Sequence, residues 1–404
     1  MPHTAQPAAR PGTQTRTPIA LLGAGHIGHT IAHLLAACGD YRVTVMDRSP
    51  AALARLNANA NTNPTSQGRD HPTRIRTLQV DTEDRAALHA ALLAAAPGDA
   101  STPGTQIVVN ALPYHLAVAT ATTARAAGCH YFDLTEDVAA TQAIQQLATG
   151  ATTAFMPQCG LAPGFIGIVA HHLAQRFEVL HDVKMRVGAL PAFPTNALKY
   201  NLTWSVDGLI NEYCHPCEAI RDGQRLDLLP LEGLEHFSLD GTEYEAFNTS
   251  GGLGTLCATL AGRVRTLDYK SVRYPGHQAL MKMLLEDLQL KDNPELLKDI
   301  LRKSVPGTMQ DVVLVFVTVS GLRAGQLVQE VFARKIFADR SETAPLSAIQ
   351  ITTAAGICAA VDLFRAGALP QSGFIRQEQV ALPAFLANRF GSAYQQSRQV
   401  ESIG

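Results

Sequence analysis

The sequence predicts an α/β protein, a doubly wound parallel sheet followed by a second α+β domain with a mixed or antiparallel sheet. Three observations lead there. Residues 17–47 read as a buried strand, a glycine-rich turn, a helix and a second strand closing on an acid. Strand-length apolar runs then alternate with helical stretches to about residue 174, the pattern of right-handed βαβ crossovers. From about Val179 the period shifts to apolar–polar alternation, expected of a half-exposed antiparallel sheet.

The chain has 404 residues, room for two domains with large cores. Hydrophobic residues make up 46% and charged residues 17%, as in a soluble packed protein. A formal net charge of −2 gives no reason to expect nucleic-acid or membrane partners. Seven cysteines, an odd number without framework spacing, fit reduced thiols and a cytoplasmic location. Residues 1–16, rich in Pro, Thr, Ala and Gln, are expected to form a disordered tail. No run of about 18 apolar residues occurs, so no membrane-spanning helix is expected.

The first strand, Ile19 to Leu22, leads into Gly23, Gly25 and Gly28, with His26 and Ile27 between the last two. Gly23 permits the tight turn, Gly25 lets backbone approach a pyrophosphate, and Gly28 lets the helix pack close to the strand. The helix from Ile27 to Ala37 presents its first N–H groups and positive dipole end to that phosphate. The next strand, Tyr41 to Met46, ends in Asp47, near the expected spacing of about 20 residues for a ribose-binding acid. This is a Rossmann dinucleotide signature. Asp47 favours NAD, while Arg48 could accommodate the extra phosphate of NADP.

A helix from Pro50 to Asn57, a polar loop and a strand near Ile75 to Val80 follow. Asp81 could reach an adenine edge or cap a helix from Thr82 to Ala95. The strand Gln106 to Asn110 places Asn110, Leu112, Pro113 and Tyr114 at a carboxyl strand end, where ligands of open α/β sheets bind. A helix from His115 to Ala127 leads to the strand Cys129 to Leu134. Asp133, Glu136 and Asp137 there could bind an ammonium group, or the last two could simply start the helix Val138 to Leu147. After a strand within Ala151 to Pro157, Cys159 precedes a helix; a lining or packing role is expected, because hydride chemistry needs no thiol nucleophile.

In the second half, Asn201 to Ile210 holds Trp204, the only tryptophan, with Glu212 just beyond. Cys214 and Cys217 form a C-x-x-C without a second ligand pair, better read as a turn than as a metal site. The loop Asn248 to Thr255, with Gly251, could offer backbone N–H groups to a carboxylate or serve as a plain connection. Arg273 could take a carboxylate bidentately, and His277 could act as acid or base. A turn at the surface is the alternative for both. The helix from Ser347 to Phe364 is expected to pack back on the first domain. The expected division is therefore 17–130 with 345–404 as the nucleotide domain, and 131–344 as the substrate domain.

The stretches GAGHIG, VVNALPY, GCHYFDLTED, CGLAPGF, YNLTWSVDGLINEY, EAFNTSGGLGTL and YKSVRYPGH together resemble the saccharopine dehydrogenase superfamily. Within it, the sequence is most similar to the lysine 6-dehydrogenase branch. DVVLVFVTVSG and ITTAAGICAAVDLF extend the likeness to about residue 364, while Gln158 and the YCHPC segment depart from that branch. The resemblance implies an NAD(P)-dependent oxidation at an amine-bearing carbon, a small amino-acid substrate, a cleft between the domains and a homo-oligomer. On that footing Asn110, Asp133 and His277 are catalytic candidates, with Asp133 and Glu212 holding ammonium groups and Arg273 a carboxylate. Tyr114, Cys159, Trp204, Gly251 and Thr255 would complete the substrate pocket. A glutamate-forming saccharopine dehydrogenase would need further cations, for which Arg186, Lys199 and Arg263 are available. A non-catalytic NAD-binding scaffold is the alternative from another class.

Overall fold

A computed structural model describes residues 16–60, 75–95, 106–339 and 345–395. The expected tail at 1–16 and the polar loop before residue 75 lie almost entirely outside the described residues. The chain opens β1 (Thr17–Leu22), α1 (His26–Ala37), β2 (Tyr41–Asp47), α2 (Pro50–Ala60), β3 (Arg76–Gln79) and α3 (Arg85–Ala95). It continues with β4 (Ile107–Asn110), a 3-10 turn, α4 (Ala117–Ala126), β5 (His130–Asp133), α5 (Val138–Leu147), β6 (Ala154–Met156) and α6 (Phe165–Ala174). These strands pair in parallel in the order β3-β2-β1-β4-β5-β6. Helices cover both faces, so β1 and β4 are almost wholly buried, as their continuous apolar runs require. The expected boundary at residue 130 needs correction, because the sheet takes in β5 and β6. Their apolar runs are too well covered to sit in a half-exposed sheet.

The second sheet is mixed rather than purely antiparallel. Its elements are β7 (Val179–Pro191), α7 (Val206–Cys214), β8 (Cys217–Arg221), β9 (Gln224–Leu228), β10 (Glu235–Leu239), β11 (Thr242–Asn248), α8 (Leu256–Leu260), β12 (Val264–Arg273), α9 (His277–Lys282), α10 (Pro294–Ser304), β13 (Asp311–Arg323) and β14 (Gln326–Phe337). The order is β10-β11-β12-β7-β13-β14, with β12 and β7 parallel and the other pairs of that path antiparallel. Alternation misled at β12, whose polar residues from Asp268 to Arg273 are buried rather than solvated.

The chain then returns. α11 (Ala348–Arg365) packs against α1 and β5, and β15 (Gly373–Phe374) adds a seventh parallel strand beside β6 before α12 (Leu382–Ala387). Ser347 caps α11 in a capping box with Gln350, and the Asp311 carboxylate accepts from the amides of Ala348 and Ile349. That junction ties the helix start to the second sheet. Phe364 packs edge-on to Phe132 and His130 at 5.2 and 4.7 Å. A Cβ at Gly356 would lie 2.7 Å from the Cys159 carbonyl oxygen, so only glycine lets the helix approach the loop after β6. α11 has the length and mean hydropathy, 1.2, of a membrane span, yet 78% of it is buried inside the protein.

Asp362 fastens this return segment. Its carboxylate accepts from the Tyr41 hydroxyl at 2.6 Å, Asn388 Nδ2 at 2.8 Å and Arg389 at 2.6 Å. Asp362→Ala removes the acceptor for all three donors and is expected to cost about 2–3 kcal/mol. Urea unfolding of the full chain checks this, and a loss below about 0.5 kcal/mol would show that the return helix is held by apolar packing alone.

Candidate active site

The glycine turn is built as its spacing requires. Gly23 has φ +99°, and its N–H donates to the Met46 carbonyl at 2.8 Å. A Cβ at Gly28 would overlap the Gly23 carbonyl oxygen, whereas Gly25 and His26 are exposed and a Cβ at Gly25 meets nothing within 4 Å. The turn therefore offers an open backbone face beside the start of α1. Asp47 Oδ2 accepts from the Ala24 N–H at 2.7 Å and Oδ1 from Ser49 N–H at 2.7 Å, which fixes the acid against the turn with lone pairs to spare. Ile27 packs against the core, and Leu112 lies beside Gly23. These features fit a dinucleotide.

Two expected cofactor residues are placed differently. Arg48 is exposed and pairs with Glu83 at 3.1 Å. Asp81 is exposed and accepts from the Glu83 amide; the cap of α3 is Asp84, which accepts from Ala86 and Ala87. The helix starts three residues later than its acid pattern indicated, so the capping role passes from Asp81 to Asp84.

Asn110 and Asp133 sit side by side at the ends of β4 and β5, paired in register. Asn110 Nδ2 donates to the Tyr131 hydroxyl at 2.9 Å, and the Tyr131 hydroxyl donates to Asp133 Oδ2 at 2.9 Å. Asn110 Oδ1 accepts from the Leu112 amide, shaping the segment that carries Pro113 and Tyr114. Asp133 Oδ1 accepts from the amides of Thr135 and Gln158, each at 3.0 Å. Burial pushes this carboxyl up to about 6 although these donors favour its charge. Both polar side chains are thus spent on the protein itself. Asn110 and Asp133 are positioning residues, not the ligand-facing groups expected. Tyr131, which links them, was missed, although its place two residues before Asp133 on one strand puts both on one face.

Beyond β5 the first sheet meets the second domain. Glu136 sits in the cleft, surrounded by protein but reached by solvent. A Cβ at Gly208 in α7 would come 3.2 Å from its Oε1, and one at Gly251 would overlap its carbonyl oxygen. Trp204 packs on Gly208, and burial, followed by the charges of Asp137 and Glu136, pushes the Tyr114 hydroxyl up. One turn after Gly208, Glu212 is buried, with burial and then the Glu136 charge raising its carboxyl to about 8 against the pull of Arg273. Burial, followed by the neighbouring acids, lifts Glu136 to about 7.

Arg273 is 3% exposed and lies over the rings of Tyr200 and Tyr213, at 5.2 and 5.8 Å. Its Nη1 donates to the Val272 carbonyl at 2.8 Å, and its Nε is buried without a partner. No ion pair to it occurs among the described residues, in contrast to Arg186, which is locked between Glu235 and Asp268. Tyr200 and Tyr213 open and close the YNLTWSVDGLINEY stretch, but no role is assigned to them from the sequence, where each reads as a core aromatic.

His277 and Thr255 depart from their expected roles, whereas Cys159 takes the packing alternative expected of it. His277 is fully buried, with Nδ1 2.9 Å from the Leu198 carbonyl and Nε2 3.1 Å from the Tyr213 hydroxyl. Burial and then Arg273 push it down to about 3, so it stays neutral and orients Tyr213 instead of exchanging protons. Cys159 is enclosed among Met156, Pro157 and Gln377, and burial pushes its thiol up, which agrees with packing but not with a pocket wall. The Thr255 hydroxyl points away from the cleft to Glu378, at 2.8 Å. All seven cysteines are free, and no metal-holding cluster occurs among the described residues.

A glycine turn at the centre of a 3-2-1-4-5-6 parallel sheet, facing a cleft of buried titratable groups, defines a dinucleotide-dependent α/β enzyme. A model of the saccharopine dehydrogenase NADP binding domain matches residues 19–155, and one of the saccharopine dehydrogenase C-terminal domain matches residues 160–390. The chain belongs to the saccharopine dehydrogenase family, and is an oxidoreductase that takes a nicotinamide cofactor. Among solved structures it is similar to the apo saccharopine dehydrogenase (L-Glu forming) from Saccharomyces cerevisiae. That match has a TM-score of 0.71 and 16% identity, and covers 91% of this chain and 96% of that one. It also matches the DAP dehydrogenase of C. glutamicum in complex with DAP, with a TM-score of 0.45, 11% identity, and coverage of 95% and 99%.

Gly28→Ala is expected to weaken NADH binding at least roughly tenfold, about 1.4 kcal/mol, because the turn must shift. Fluorescence titration of the full chain measures it, and wild-type affinity would count against the turn as the cofactor seat. Glu212 allows a second check. Its raised carboxyl favours the protonated fold, so that contribution is complete below about 4.5 and is lost as pH rises through about 8. Glu212→Gln should therefore gain stability over wild type between pH 5 and 8, on the order of a few kcal/mol. Parallel stability–pH curves for the two proteins would refute the burial argument.

Proposed function

We propose that this oxidoreductase is an NAD-dependent dehydrogenase of a basic amino acid, in the manner of a lysine 6-dehydrogenase. The observation that carries this reading is Arg273, a buried guanidinium with an orphaned Nε and no carboxylate partner among the described residues. A desolvated cation with no carboxylate bonded to it is costly, and a substrate carboxylate would relieve that cost. Nearby, Glu136 and Glu212 supply acids for ammonium groups. One cation and two acids match a substrate with one carboxylate and two amines.

Gly23, Gly25, Gly28 and Asp47 would hold the dinucleotide, with residues 110–113 beside its reactive end. NAD is favoured because Asp47 is fixed at the turn and Arg48 is engaged by Glu83 rather than free for a phosphate. When bound, the nicotinamide supplies the hydride acceptor. The chain's own part is to orient and to move protons. Arg273 anchors the α-carboxylate, and an ionised Glu136 or Glu212 takes a proton from the side-chain ammonium, leaving the amine lone pair needed to expel hydride from its carbon. Water hydrolyses the resulting imine and ammonia leaves. Trp204 and the Gly251 loop narrow the cleft against competing water.

A glutamate-forming saccharopine dehydrogenase acts on a substrate with additional carboxylates. Of the cations that could meet them, Arg186 is consumed by Glu235 and Asp268, Lys199 is exposed and donates to the Pro275 carbonyl, and Arg263 is exposed. This supports the smaller substrate. The test is formation of NADH from lysine and from saccharopine, with wild type and Arg273→Ala. Wild type should turn over lysine with release of ammonia. The variant should lose about 2–5 kcal/mol of substrate binding, at least roughly thirtyfold in KM. Turnover of saccharopine alone would replace the reading, and an unchanged KM would remove Arg273 from the site.

A further inference from the structure

The structure assigns a second small-molecule site on the side of α8 away from the cleft, shaped for the zwitterionic head of a free α-amino acid. The cavity measures about 350 Å³, within the roughly 300–1,000 Å³ of small-molecule sites, and its walls include Phe374, Arg376, Glu378, Thr259 and Gln145. It opens beside β15, the edge strand of the first sheet.

Glu378 is 6% exposed, and both its oxygens accept from the Thr255 hydroxyl, with Oε1 also accepting from Thr259. Arg376 Nη1 donates to that same Thr259 hydroxyl at 3.3 Å. The guanidinium and the carboxylate thus flank one hydroxyl, yet neither makes an ion pair among the described residues. Thr259 stands between them, so that an ammonium on Glu378 and a carboxylate on Arg376 would each form a charge-assisted pair. Phe374 offers an apolar wall to a short side chain, and Gln145 a polar one.

The site is distinct from the cleft but joined to it. Thr255 ends the loop whose Gly251 abuts Glu136, so a ligand that draws on Glu378 bears on the same loop from behind.

Isothermal titration of L-alanine into the full-length, cofactor-free protein tests this. One site should appear. Arg376→Gln and Glu378→Gln should each weaken it at least tenfold, while Arg273→Ala, which disables the cleft, should leave it intact. No binding up to about 10 mM overturns the proposal. So does binding that survives both cavity substitutions, or binding lost with Arg273→Ala. Arg376 carries an accessible side chain, so its variant keeps the test valid if Glu378→Gln fails to fold. Lysine turnover is not part of the readout, so the dehydrogenase reading and this site stand or fall separately.

Discussion

The arrangement of the site depends on the buried carboxylate of Asp133. No ion pair to it occurs among the described residues. Three donors do the work instead: the amides of Thr135 and Gln158 on one oxygen and the Tyr131 hydroxyl on the other. Tyr131 in turn takes Asn110, and the Asp133 carbonyl takes the Cys159 amide. The segments leaving β4, β5 and β6 are thereby held to one another at the carboxyl edge of the sheet. Because every member is satisfied in a low-dielectric interior, the network fixes a single geometry for the loops that carry Pro113, Tyr114 and Glu136.

Coverage of the first sheet is the second constraint. A parallel sheet must be buried on both faces, and the chain meets this by sending α11 back after the whole second domain. Small residues let that helix lie close, with Gly356 against the Cys159–Gly160 backbone and Phe364 between Phe132 and His130. Its start is fixed to β13 by Asp311 and its end to β2 through Asp362 and Tyr41. One helix is therefore tied to both sheets.

Electrostatics divides the buried charges into two kinds. Arg186, Lys270, Glu235 and Asp268 neutralise each other inside the second sheet and are structural. Arg273, Glu136 and Glu212 are gathered but make no ion pair among the described residues, and burial drives both acids toward neutrality. Groups held in this unfinished state are what a charged ligand completes.

The sequence by itself determined the nucleotide half. Glycine spacing, the acid at 47 and the run of buried strands are local signals, because turn sterics and strand burial act over a few residues. It also offered Arg273 as a cation able to take a carboxylate bidentately, and Glu212 through the family resemblance. What it could not decide was which polar side chains are spent on the protein. Asp133, Asn110 and His277 carry the same chemistry in sequence whether they face a ligand or a neighbouring amide. Only the packing of β4, β5 and the 158–160 loop closes the first two off, and only the tyrosine cluster buries the third. Thr255 turned away because its partner, Glu378, lies 123 residues on. Tertiary structure decided these roles, since burial and hydrogen-bond satisfaction depend on contacts between segments far apart in the chain.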